Sequence, residues 1–140
     1  MTVLALCAGT ATAGPIEDAD AANNRQDYAS AIKLYRPLAQ QGNVNAQVTL
    51  GVIYFNGKGV PKDYKEAASW FLLAAAQGHA TGQYNLGLAY EGGLGVTQSD
   101  AEAYKWFLIA AMQGDEDGAY MLAQSYYNGK GVKQNYAEAL

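Results

Sequence analysis

The chain has 140 residues, enough for one domain, and its half-apolar, 16%-charged composition excludes a disordered chain. A formal charge of −4 and a pI near 4.8 weigh against a nucleic-acid partner, which needs clustered Lys and Arg to release counterions from phosphates. Much of the apolar share is Ala, so the expected core is thin layers of Ala faced by Leu, Trp, Phe and Tyr.

The first element, residues 1–13, reads MTVLALCAGTATA, with Gly14-Pro15 following. Its apolar run and its Ala11-Thr12-Ala13 triplet fit a clipped secretory signal that lacks the basic start. A disordered Ala-rich tail is the alternative. Export to a periplasm is the expectation. Cys7, the single cysteine, lies inside this segment, so cleavage after Ala13 leaves no disulfide, thiolate metal site or cysteine nucleophile. A lipoprotein signal wants a small residue before its Cys, and Leu6 stands there. No stretch approaches the ~20 apolar residues that span a bilayer.

Residues 14–26 are expected to supply a short capping helix over Ile16 to Asn24. Asp27 to Gly42 reads as a helix without a repeated partner of its own. From there the chain repeats itself: LGVIYFNGKGV at Leu50 to Val60 returns as LGLAYEGGLGV at Leu86 to Val96 and LAQSYYNGKGV at Leu122 to Val132, a period of 36 residues. A second phrase keeps that period, with PLAQQG ending at Gly42, LAAAQG at Gly78 and IAAMQG at Gly114. Such a period marks a solenoid of helical hairpins, each burying its apolar face on its neighbours.

Within a unit, Ala46, Leu50, Gly51 and Tyr54 form the stripe of a first helix, and Gly82, Leu86, Gly87 and Tyr90, then Gly118, Leu122, Ala123 and Tyr126, repeat it. The second helix opens with pairs that resemble a capping box, Asp63 with Glu66, Ser99 with Glu102 and Asn135 with Glu138. Ala67, Trp70, Phe71, Ala74 and Ala75, matched by Ala103, Trp106, Phe107, Ala110 and Ala111, then form its core stripe. Gly42, Gly78 and Gly114 stop that helix. The last unit, ending at Leu140, is incomplete.

The combination A-x-x-x-L-G-x-x-Y-x-x-G-x-G-V, then A-x-x-W-F and A-A-x-Q-G, resembles the Sel-one-like repeat family, a relative of the tetratricopeptide repeats. The resemblance covers Asp27 to Leu140. Leu34 and Tyr35 replace Trp-Phe in the first unit, Gly82 and Gly118 replace the leading Ala, and Ala123 replaces the Gly after Leu. It implies an all-α, right-handed superhelical solenoid and a non-enzymatic scaffold that binds a protein or peptide in a concave groove. If the first helices line that groove, as in related repeats, Val48, Val52, Phe55, Tyr84, Leu88, Tyr120, Gln124 and Tyr127 project into it. Aromatic anchors of this kind suit protein recognition.

Other chemistry has little footing. The segments NGKGV and GGLGV match no phosphate-binding motif and are explained by turns that need positive φ. His79, the single histidine, reads as a turn residue, and with no cysteine beyond the leader no metal site or cofactor is expected. Asp115, Glu116 and Asp117 suit a helix start, and no Ser-His-Asp set is recognisable. The rival readings are a spacer in an envelope complex and a cell-envelope enzyme or β-lactam- or peptidoglycan-binding protein. The latter looks like cysteine-rich relatives, whose Cys pair per repeat this chain lacks.

Overall fold

The computed structural model describes residues 13–140; the expected signal segment up to Thr12, with Cys7, lies outside the described residues. Among the described residues are seven helices and no strand: α1 (Pro15–Asn24), α2 (Tyr28–Gln40), α3 (Val44–Asn56), α4 (Tyr64–Ala76), α5 (Ala80–Gly92), α6 (Asp100–Met112) and α7 (Glu116–Asn128). Each helix packs chiefly on its neighbours in the chain, and beyond that α5 touches α7. Helix α3 pairs with α4, and α5 with α6, as the two arms of successive hairpins.

The hairpins close because a small residue faces a large one. Phe71 and Phe107 are almost wholly buried, and a Cβ built on Gly51 or Gly87 would collide with the ring of Phe71 or Phe107 respectively. Successive hairpins meet over equally small residues. A Cβ on Gly82 would lie 2.8 Å from the Ala74 Cβ, and one on Gly118 would lie 2.8 Å from the Ala110 Cβ. The two departures from the leading Ala are thus sites where α5 and α7 approach the preceding helix too closely for a methyl group. Leu50, Ile53, Leu86 and Ala89 fill the remaining core.

The turns between hairpins are built on one residue with two tasks. At the end of α2, Gly42 has φ of 95°, its N–H donates to Ala39 O at 3.0 Å, and the next N–H, from Asn43, donates to Leu38 O at 3.0 Å. This is the Schellman pair of bonds that satisfies the last carbonyls of a helix. Asn43 is also the N-cap of α3, its Oδ1 accepting from Ala46 N at 2.9 Å. His79 and Asp115 repeat the double role after Gly78 and Gly114, Nδ1 of His79 accepting from Gly82 N at 3.4 Å and Oδ2 of Asp115 from Gly118 N at 2.7 Å. The histidine therefore serves as a helix cap.

Within hairpins the expected capping box is only half formed. Asp63 Oδ1 and Ser99 Oγ accept from Glu66 N and Glu102 N at 2.9 and 3.2 Å. The N–H of each cap, however, donates to a tyrosine carbonyl of the preceding helix, Asp63 to Tyr54 O at 3.0 Å and Ser99 to Tyr90 O at 2.9 Å. That bond satisfies the donor the glutamate would have taken, so Glu66 and Glu102 are free to face other partners. The second loop glycine of each copy lets the loop lie on the hairpin before it: a Cβ on Gly59 would press on Tyr28 Cβ, and one on Gly95 or Gly131 on the carbonyl of Tyr64 or Asp100.

Helix α1 departs from the repeat. It is joined to α2 by Arg25, Gln26 and Asp27, in the manner of the turns between hairpins: Gln26 N donates to Asn23 O, Asp27 N donates to Ala22 O, and Asp27 caps α2 through Ser30 N at 3.2 Å. Gln26 stands where the other turns have Gly, at φ of 61°. Ala19 and Ala22 of α1 bury Tyr35, whose hydroxyl donates to Asp20 Oδ1 at 2.6 Å. Burial first, then that bond, raises the Tyr35 pKa. A tyrosine replaces phenylalanine at this register and an acid on α1 accepts from it.

Candidate partner-binding surface

The residues expected in the groove divide between two situations. Val48, Val52 and Phe55 on α3, and Tyr84 and Leu88 on α5, are half-buried. Val52 and Phe55 pack against the cluster around Phe71; the Phe55 ring lies 6.1 Å from Phe71 and 5.2 Å edge-on from Tyr64. The Tyr84 ring sits 6.2 Å from Phe107. These side chains present one edge outward while the other seals their own hairpin.

On α7 the same register is open. Tyr120 and Tyr127 are 64% and 57% exposed and, with Gln124, line a cleft of about 530 Å³ together with Ala123, Tyr136 and Ala139. Gln124 Nε2 donates to Tyr120 Oη at 3.2 Å, and Tyr127 meets Tyr136 edge-on at 5.3 Å. That last pair is the Phe55–Tyr64 pair moved by two repeats. The segment around Asn135 makes a single capped turn, with Asn135 Oδ1 accepting from Ala137 N at 3.1 Å. Ala123 stands at the register of Gly51 and Gly87, where a methyl would meet the Phe71 or Phe107 ring.

Two features of this surface were missed in the sequence. Glu91 occupies the register of Phe55 and Tyr127, and its carboxylate is 3.2 Å from Lys130 Nζ. Burial first, then Asp117, Asp115 and Glu91, raise the Tyr84 pKa. Buried glutamines are the second feature. Gln47 Nε2 donates to Ala39 O at 3.0 Å and its Oε1 accepts from Gln77 at 2.8 Å; Gln83 and Gln113 repeat the contact at 2.5 Å. The period exposes them, Gln83 following Gln47 by 36 residues, but an interior glutamine is unexpected unless fully bonded.

Among the described residues no group of three or more His, Cys, Asp or Glu side chains is placed to hold a metal ion, and no helix is long and apolar enough to cross a membrane. A family model described as Sel1 repeat matches residues 25–43, 44–79, 80–115 and 116–140. The chain belongs to the Sel1 repeat family. The first three matches end at Asn43, His79 and Asp115, the residues that close one helix and cap the next. Proteins of this family typically mediate protein–protein interaction and are generally non-catalytic.

Solved structures agree. A Sel1 repeat protein from Oxalobacter formigenes is 33% identical, with a TM-score of 0.82 over 90% of this chain and 51% of that chain. A protective antigen of uropathogenic Escherichia coli strains, displaying an SLR fold, is 41% identical with a TM-score of 0.75, over 78% of this chain and 23% of that one. This chain therefore spans about half and about a quarter of the two. No curated protein matches the sequence.

Proposed function

We propose that the protein is an exported, non-enzymatic scaffold that binds a protein or peptide partner along the outward edges of α3, α5 and α7. The observation that carries this reading is the shared register of Val48, Val52 and Phe55, of Tyr84 and Leu88, and of Tyr120, Gln124 and Tyr127, which lays aromatic and apolar edges along three successive first helices. Tyrosine contributes a rigid contact area with a hydroxyl at its tip, at a small cost in side-chain entropy. Val48, Val52, Phe55, Tyr84 and Leu88 extend the surface as half-buried flanks. Periplasmic placement rests on the apolar leader and its Ala11-Thr12-Ala13 triplet.

Affinity capture from an envelope extract, comparing the wild-type protein with Tyr120→Ala/Tyr127→Ala, tests the reading. A stoichiometric protein should be retained by the wild type and lost from the variant, while the two share a melting temperature to within a few degrees. Identical capture by both proteins, or turnover of a β-lactam by the purified wild type, would overturn it.

A further inference from the structure

Tyr54, Tyr90 and Tyr126 occupy one register in three successive copies, and their hydroxyls are met in different ways. In the first copy Arg36, on α2, donates from Nη2 to Tyr54 Oη at 2.5 Å and from Nη1 to Glu66 Oε1 at 3.0 Å. Its guanidinium carbon lies 5.8 Å from the Tyr54 ring centroid. Trp70 Nε1 donates to the same Glu66 oxygen at 3.0 Å. In the third copy Tyr104 takes over, its hydroxyl 3.0 Å from that of Tyr126.

The middle copy repeats the acceptors without the arginine. Tyr90, Glu102 and Trp106 stand at the registers of Tyr54, Glu66 and Trp70, but Leu72 stands at that of Arg36. Within the described residues no side-chain hydrogen bond ties the Tyr90 hydroxyl or the Trp106 indole N–H to the protein and neither is a buried orphan, so both face solvent, and Trp106 is half-buried where Trp70 is 7% exposed. Beside Tyr90 lies an apolar cleft of about 210 Å³, lined by Leu72, Leu86 and Val96. Ala68 lines it at the register that holds Ile32 in the first copy and Tyr104 in the third.

We propose that the middle copy receives an arginine side chain from a partner polypeptide, with its methylenes in the cleft and its guanidinium between Tyr90, Glu102 and Trp106. Arg36 is the internal template for this chemistry. A planar guanidinium reaches two acceptors from two nitrogens while lying over an aromatic ring, which an ammonium does not reproduce. The net charge of −4 favours a basic partner. Glu102 now pairs with Lys105 Nζ at 2.9 Å, but both side chains are at least 40% exposed, so the pair is weak and readily exchanged. Lys65, on the cleft rim, opposes a second cation and keeps the affinity for a single side chain low. None of these residues belongs to the groove of the preceding proposal, so either reading can fail alone.

The test is titration of the ¹⁵N-labelled native protein with the tripeptide acetyl-Ala-Arg-Ala-amide and its citrulline counterpart. The two tryptophan indole N–H resonances are read separately after assignment with Trp106→Phe. The Trp106 resonance should shift saturably with the arginine peptide while that of Trp70 stays still. Citrulline, and separately Glu102→Gln, should each weaken binding about fivefold. Leu72→Arg should supply the side chain internally, abolish the response and raise the melting temperature. Equal response to both peptides, a response indifferent to Glu102→Gln, or no Trp106 shift in native protein that is folded by the same spectrum would overturn the proposal.

Discussion

Leu86 and Leu122 are the same letter at the same register, yet Leu86 is 1% exposed and Leu122 is half-buried. The difference lies in what packs on them. Leu86 is enclosed by the cluster of Ala67, Phe71 and Ala75, and Phe107 closes its hairpin against Gly87. Among the described residues, α7 packs on α6, touches α5 and is followed by the turn around Asn135. At the opposite end α1 covers Tyr35 completely, although α1 itself is not a repeat. Burial in this molecule is a property of the neighbour more than of the residue, as expected where each unit is stabilised across its interfaces.

Paired substitutions sharpen that comparison. The largest contrast is between Leu86→Ala, expected to cost about 2–5 kcal/mol, and Leu122→Ala, expected to cost under about 1.5 kcal/mol because the site is already partly open. Urea unfolding reads both, and equal losses would show that α7 is covered in solution. Next comes Gly51→Ala, whose methyl would meet the Phe71 ring and should cost about 1–3 kcal/mol by overpacking. Its mirror, Ala123→Gly, removes a methyl from a half-buried position and should cost about 1 kcal/mol, the helix-propensity difference. A harmless Gly51→Ala would mean that the hairpin is looser than its packing indicates.

The smallest effect is a gain. Gln26 holds a left-handed conformation that the turns between hairpins give to glycine, so Gln26→Gly should stabilise by about 0.5–1 kcal/mol. A thermal melt that falls instead would show that the Gln26 side chain contributes a contact greater than its strain.

The fold was legible because a 36-residue period registers small, aromatic and capping residues at once. Ala67, Phe71 and Leu50 are core for the reason their spacing implies. The surface was less legible because spacing does not say what lies opposite. Phe55 and Tyr84 share the register of exposed tyrosines on α7 but lean on Phe71 and Phe107 from another helix. Trp106 carries the same letter as Trp70 yet is half-buried where Trp70 is 7% exposed. Glu66 and Glu102 left the capping role when tyrosine carbonyls from the preceding helix accepted the cap N–H groups. Each failure is a contact between elements, invisible to a pattern read along one of them.

The residues that finish one helix and start the next have a mechanical consequence. Asn43, His79 and Asp115 each tie two helices together with a backbone bond on one side and a side-chain bond on the other. Tilting one hairpin against the next must loosen both, so the joint has no free play. A load applied to the array is then shared by every joint in small increments.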